Sequence, residues 1–202
     1  MTRYLLASAY GRFQPPHVEH LEYLEAALAN SDHLLIGITQ PENVALSDCP
    51  EDPHRAVASA NPFSYGERCD MIAAMLIARG HAPSRFTFSR FPIGQPDMLV
   101  TSMPTQVVCL TTIRDQWNVV KIARLRSLGY VVIVLLDKRG VDGIQGTRIR
   151  ARMASNDDSW IGDVHPAVAK YILSKGLLAR VQSFSATAQL SVTAAVLTAP
   201  AQ

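Results

Sequence analysis

Residues 33–39 (HLLIGIT) form a continuous apolar run, the pattern of a strand buried on both faces of a parallel sheet. Such a strand must be covered from both sides, and the neighbouring sequence supplies the cover. Residues 3–9 (RYLLASA) read as an earlier strand. Residues 18–30 read as a helix whose apolar stripe is Leu21, Leu24 and Leu28, with Glu22 and Glu25 off it. Ser64 and Glu67 make a Ser-x-x-Glu capping box, opening a helix over 65–79 that buries Met71, Ile72, Met75 and Leu76. Strands are predicted at 85–91, 106–111 and 130–136, and helices at 116–128, 147–155 and 165–175. This alternation predicts an α/β fold, a doubly wound parallel sheet with helices on both faces. Ligands of such sheets lie beyond the carboxyl ends of the strands, near the reversal of strand order. The loop after the first strand is therefore the first place to look for chemistry.

Composition narrows the class. The chain has 202 residues, 48% hydrophobic and 18% charged, enough for one globular domain with a real core. We place that domain at 1–181. The tail, 182–202, is rich in Ala, Ser, Thr and Val without charge, and is either disordered or laid across the surface. A net charge of +2 argues against general nucleic-acid binding. Cys49, Cys69 and Cys109 contain no Cys-x-x-Cys pair, so neither a zinc site nor a disulfide framework is indicated, and a reducing, cytoplasmic setting is expected. The N-terminal apolar run is too short for a signal peptide, and no run of ~18 apolar residues exists to span a membrane.

The loop after the first strand reads Gly11-Arg12-Phe13-Gln14-Pro15-Pro16-His17-Val18-Glu19-His20. His17 and His20, three apart at a helix start, lie on nearly one face. A helix N-terminus carries positive partial charge and free N–H groups, and imidazolium groups there can neutralise a triphosphate. Gly11 lets backbone approach a ligand closely. Arg12 adds a fork of donors. A second candidate anion site is Gly146-Thr147 before a short helix. Thr147 can cap that helix and leave its N–H groups facing a phosphate. Arg148, Arg150 and Arg152 follow, and by themselves read as a solvated helix face.

Gly-Arg-Phe-Gln-Pro-x-His-x-x-His resembles the signature of the HxGH nucleotidyltransferase superfamily, most closely its archaeal-type nicotinamide mononucleotide adenylyltransferase branch. Asn61-Pro62-Phe63-Ser64-Tyr65-Gly66-Glu67-Arg68 resembles that branch's Pro-Phe-x-x-Gly-Glu-Arg segment. Gly146-Thr147-Arg148-Ile149-Arg150 resembles its phosphate loop. The resemblance implies a Rossmann-like nucleotidyltransferase fold and in-line transfer of an NMP group from an NTP, with pyrophosphate leaving and Mg²⁺ bridging phosphate oxygens. It implies His17, His20, Arg12 and Arg150 as catalytic residues. It implies Gly11, Phe13, Gln14, Thr111, Thr112, Gly146 and Thr147 as the nucleotide's contacts. A homo-oligomer is compatible with it.

Three departures from that branch bear on activity and specificity. Position 19 is Glu where the signature has Gly, a carboxylate that must point away from a triphosphate or meet a cation. Residues 92–99 lack the Trp that helps hold nicotinamide in that branch. The stretch Leu110–Asn118 replaces its Ser-Gly-Asn-Pro. The Asp-x-Trp element at 115–117 and the long loop at 40–62 resemble cytidylyltransferases that activate small phosphonates in natural-product pathways, including antibiotic biosynthesis. His54, Arg55 and Arg114 are then candidate donors to a small anionic acceptor, with CTP as the favoured nucleotide. The alternatives are ATP with nicotinamide mononucleotide, and a non-catalytic nucleotide-binding module disabled by Glu19. The loop at 40–62 is either a solvated insertion or a lid over the acceptor.

Overall fold

The computed structural model describes residues 3–40 and 57–184. Five strands form one parallel sheet: β1 (Tyr4–Gly11), β2 (Ser31–Ile38), β3 (Phe86–Arg90), β4 (Val108–Ile113) and β5 (Val132–Asp137). Their order is β3-β2-β1-β4-β5, with every neighbouring pair parallel. The chain winds outward from β1 to β3, then crosses back to β4 on the far side of β1. The reversal of strand order thus falls between β1 and β4.

The helices divide accordingly. Helices α1 (Val18–Ala29), α2 (Tyr65–Ala78), α5 (Gly146–Ala154) and α6 (Pro166–Ser174) bury Leu24, Met71, Ile149 and Val168 in one core with Ala7, Ala9, Leu34, Ile36 and Ile38 of the sheet. Helices α3 (Pro96–Ser102) and α4 (Gln116–Ser127) bury Leu99, Ile122 and Leu125 in a second core with Tyr10, Cys109 and Val132. Successive strand residues point to opposite faces, so Ala9 and Tyr10 belong to different cores. The run 33–39 forms β2, with Leu34, Ile36 and Ile38 all at zero exposure. The Ser64–Glu67 capping box opens α2, both of its reciprocal hydrogen bonds being present.

Two elements go beyond the sequence reading. Residues 96–102, given no element there, form α3 with Pro96 in its first turn. Residues 177–184 form a further helix, α7, which places Leu177 and Val181 in the main core. The expected start of the tail, 182, therefore falls within a helix, and 185–202 lie outside the described residues. No helix among the described residues is long and apolar enough to cross a membrane.

Candidate active site

At the reversal point the two central strands part. They pair from Ala7–Val108 to Ala9–Leu110 and no further. Beyond that register the Tyr23 hydroxyl, carried on α1, donates to the Leu110 carbonyl (2.6 Å) and accepts from the Tyr10 amide (3.0 Å). One side chain thus satisfies a donor and an acceptor that the diverging strands would otherwise leave buried and unpaired. A cleft of about 850 Å³ opens there. Its floor is Tyr10–Gln14 and Thr111–Thr112, and its walls are the N-terminal ends of α1 and α5. That volume suits a small-molecule ligand of nucleotide size.

The loop that carries the histidines is built from buried backbone contacts. Phe13 is held at φ 52°, a left-handed conformation uncommon for a bulky residue, and its ring is buried. A Cβ on Gly11 would stand 2.8 Å from that ring, so Gly11 makes room for Phe13. The Gln14 amide is spent within the protein: its nitrogen donates to the Phe63 carbonyl (2.9 Å) and its oxygen accepts from the Phe63 amide (3.0 Å). Arg68, fully buried, donates to the carbonyls of Arg12, Thr39, Gln40 and Ser64. The segment 61–68 is therefore a buttress that ties the ends of β1 and β2 together.

On that support His17 occupies the N-cap of α1 and His20 the third helical position. Their rings stack with centroids 3.6 Å apart, and the Phe13 ring meets His20 edge-on at 4.8 Å. The His17 amide donates to Nδ1 of His20 (3.3 Å), so a neutral His20 carries its proton on Nε2. Burial, then the Arg114 charge, lowers the His17 pKa to about 3. Burial also drives His20 well below its usual value, helped by His17, Arg114, Arg12 and Lys121. This corrects the expectation of imidazolium groups. Without a bound anion both rings are neutral, and they offer N–H donors rather than full charges.

The second candidate anion site abuts the first. Helix α5 begins at Gly146 with Gln145 as its N-cap, so Thr147 is not the cap and lies one residue inside. A Cβ on Gly146 would stand 2.9 Å from the Gln14 carbonyl, a close approach that only glycine permits. Arg150 is buried and donates to that same carbonyl (2.6 Å) and to the Thr147 hydroxyl (3.3 Å). Burial lowers its pKa to about 10, which leaves it charged at neutral pH. Arg148 is half exposed and pairs loosely with Asp142 (3.4 Å), and Arg152 pairs with Asp163 (2.5 Å). The three arginines thus have three different environments, and only Arg150 lines the cleft.

The structure brings together Gly11, Arg12, Phe13, Gln14, His17, His20, Thr111, Thr112, Arg114, Gly146, Thr147 and Arg150 around the one cleft. His54 and Arg55 fall outside the described residues, as does most of the 40–62 loop. Arg114, a candidate donor to the acceptor, lines the cleft and is paired with Glu19 (Nη2 to Oε2, 2.8 Å). The carboxylate at 19 has met a cation. Lys121 and Lys138 also line the cleft and were not anticipated. Lys121 sits over the rings of Tyr10 (5.7 Å) and Trp117 (6.0 Å), while Lys138 pairs with Glu22 of α1. A lysine on a helix face carries no signal by itself; what gives Lys121 its place is the position of α4 beyond the switch point. The Asp115–Asn118 pair is a capping box for α4, in which Asn118 Oδ1 accepts from the Arg114 and Asp115 amides.

A cleft at a strand-order reversal, walled by two helix N-termini and supplied with neutral histidines and buried arginine, defines a nucleotide-binding α/β protein that handles phosphates. The comparisons with known proteins make the class definite. Residues 8–152 match the cytidylyltransferase-like family, and the chain belongs to it. It is a nucleotidyltransferase. It is 31% identical to the phosphonoformate cytidylyltransferase of Streptomyces viridochromogenes over 174 residues, 86% of this chain and 94% of that one. It is 25% identical to the nicotinamide-nucleotide adenylyltransferase of Aeropyrum pernix over 182 residues, 85% of this chain and 92% of that one. In fold it resembles a bifunctional NMN adenylyltransferase/ADP-ribose pyrophosphatase of Francisella tularensis, solved with AMP and a manganese ion. The TM-score is 0.63 at 16% identity, covering 98% of this chain and 57% of that one. The chain thus spans little more than half the length of that bifunctional protein.

Proposed function

We propose that this nucleotidyltransferase moves CMP from CTP to a small phosphonate or phosphate acceptor and releases pyrophosphate. The observation that carries this reading is the make-up of the cleft wall. Arg12, Arg114, Lys121, Lys138 and Arg150 line it, while none of residues 92–99 does. In that stretch Ile93 and Leu99 are packed into the second core, and neighbouring Phe91 stacks on Tyr10 at 4.5 Å. An acceptor with a planar ring finds no stacking surface there, whereas a small anion finds cations. The likeness to a phosphonoformate cytidylyltransferase across most of both chains supports the same acceptor class.

In the proposed reaction the acceptor oxygen attacks the α-phosphorus in line. The chain's part is to position and to neutralise charge, with no protein nucleophile. His17 and His20 donate from the N-terminus of α1, Arg150 and the first amides of α5 from the opposite wall, and Arg12 from the floor. Phosphate charge near the histidines favours their protonated form, so binding draws protons onto this pair. Among the described residues no three His, Cys, Asp or Glu side chains converge to hold a metal ion. Mg²⁺ would enter with the triphosphate and supply charge neutralisation at its phosphates.

Nicotinamide mononucleotide adenylyl transfer is the second reading, supported by the archaeal relative. A non-catalytic module loses its motive, because the Glu19 charge is met where it stands. The test is a pyrophosphate-release panel that crosses CTP, ATP, GTP and UTP with small phosphonates and nicotinamide mononucleotide. Turnover with CTP and a phosphonate is expected. NAD formation without CTP turnover would promote the second reading.

A further inference from the structure

We infer that Glu19 is a positioning residue of the transfer reaction: from the first turn of α1 its carboxylate holds Arg114 and the loop before α5, and so sets the spacing of the two phosphate-binding helix N-termini. Three contacts define the arrangement. Glu19 Oε2 lies 2.8 Å from Arg114 Nη2 and accepts from the Ile144 amide at 3.0 Å. The loop is pressed onto this pair at Gly143, where a Cβ would stand 2.2 Å from Arg114 Nη1 and 3.0 Å from Glu19 Oε1. Both side chains are mostly enclosed, at 18% exposure for Glu19 and 29% for Arg114.

The clasp joins parts of the chain that the sheet alone does not join. Glu19 flanks the histidines, Arg114 follows β4, and Ile144 lies two residues before Gly146. One turn further along α1, Glu22 pairs with Lys138 just past β5. Residues three apart share a helix face, so one side of α1 clips the loops after both strands beyond the switch point. Without the carboxylate the Ile144 amide loses its acceptor and Arg114 loses the group that orients it. The Gly146–Arg150 wall is then tied to the β1–α1 side only through Arg150 and Gly146 at the Gln14 carbonyl, with the loop before it unheld.

This role has a sign opposite to that of simple electrostatics. Removing a negative charge from an anion-binding cleft should tighten triphosphate binding. Removing a clasp should loosen it, because misplacement of a positioning group lowers both affinity and rate. The role rests on the transfer reading above only in needing a nucleoside triphosphate in the cleft, and is the same for CTP and ATP.

The test compares the parent protein with E19G, E19Q, R114M and E19Q/R114M. Calorimetric dissociation constants are taken for Mg-CTP and Mg-ATP, and kcat and KM from pyrophosphate release. Hydrogen exchange is read over 141–147 and Tm by calorimetry. We expect E19G to weaken binding of the tighter nucleotide and to raise its KM about ten-fold, to speed exchange over 141–147, and to shift Tm by less than about 4 °C. E19Q, which keeps an acceptor for Ile144, should fall between E19G and the parent. The double variant should be no worse than R114M, as expected of residues acting as a unit. Equal or tighter nucleotide binding by E19G, or additive losses in the double variant, would overturn the role. If E19G fails to fold, E19Q and the cycle still decide. If no acceptor supports turnover, the transfer reading fails on its own, and the dissociation constants and exchange rates continue to test the clasp.

Discussion

The two walls of the cleft are held by different kinds of bond. The β1–α1 wall rests on buried, neutral or carbonyl-directed contacts. Arg68 donates to four carbonyls, Gln14 is bound at both ends to Phe63, and Tyr23 bridges the parting strands. The β4–β5 wall rests on charged pairs: Glu19–Arg114, mostly enclosed, and Glu22–Lys138 and Arg148–Asp142, nearer to solvent. Buried polar networks are costly to alter because each lost partner strands a desolvated group. Exposed ion pairs are inexpensive to exchange. The difference teaches that the histidine pair rests on contacts that are costly to alter, while Arg150 and the N-terminus of α5 face it from the other wall.

The largest effect should come from the buttress. Arg68→Met leaves several buried carbonyls without a donor and should cost about 4 kcal/mol or more in a denaturant titration. A loss below about 1 kcal/mol would remove the contrast between the walls.

Next in size is the histidine pair. His17→Ala and His20→Ala should each lower kcat by about 10²–10³, the usual cost of one preorganised charge contact, with the fold retained by circular dichroism. Near-parental turnover at saturating substrate from either variant would contradict the proposed roles.

The same pair makes stability sensitive to acid. The folded-state pKa of His17, about 3, lies below its ordinary value of 6.5, so protonation favours the unfolded chain. The contribution is fully present above pH 6.5 and declines as the pH falls toward 3. From pH 7 to 5 the loss should be about 2 kcal/mol for His17. His17→Gln should flatten the stability profile over that interval, and an unchanged profile would mean that the ring is not held neutral. In the parent protein, triphosphate binding near pH 6.5 should take up protons. The measure is the dependence of calorimetric heat on buffer ionisation enthalpy.

The smallest effect separates two arginines on one helix. Arg150→Ala should raise the KM for nucleotide about ten-fold through loss of a charge-assisted contact. Arg148→Ala, half exposed and loosely paired, should change it less than about two-fold. Equal small effects would make both a solvated face.

How much of this was legible in the sequence follows from the same contrast. Periodicity placed β2, α1 and α2 well, because Leu34, Ile36, Ile38, Met71, Ile72, Met75 and Leu76 are core residues whose spacing reports burial. Helix α3 escaped because seven residues opening on Pro96 hold too little periodic signal. The order of motifs picked out both segments that wall the cleft. What it could not show was which polar groups the protein keeps for itself. The Gln14 amide and the Arg68 guanidinium look like ligand donors in a string of letters, and both are consumed by backbone, most of it distant in sequence. The neutral state of the histidines was hidden for a related reason, since desolvation depends on what packs over a ring. Glu19 read as a liability until Arg114 and Ile144, distant in sequence, were found on either side of it.

The central claim is that two facing helix N-termini hold the triphosphate in a cation-lined cleft that we propose is suited to CTP and a small anionic acceptor. A competition in one vessel tests it most directly. Equal CTP and ATP, with Mg²⁺, are offered together with a small phosphonate and nicotinamide mononucleotide, and products are identified by mass spectrometry as they form. The cytidylyl phosphonate should accumulate first and fastest, with pyrophosphate in equal amount. NAD as the dominant product, with CTP left intact, would contradict it.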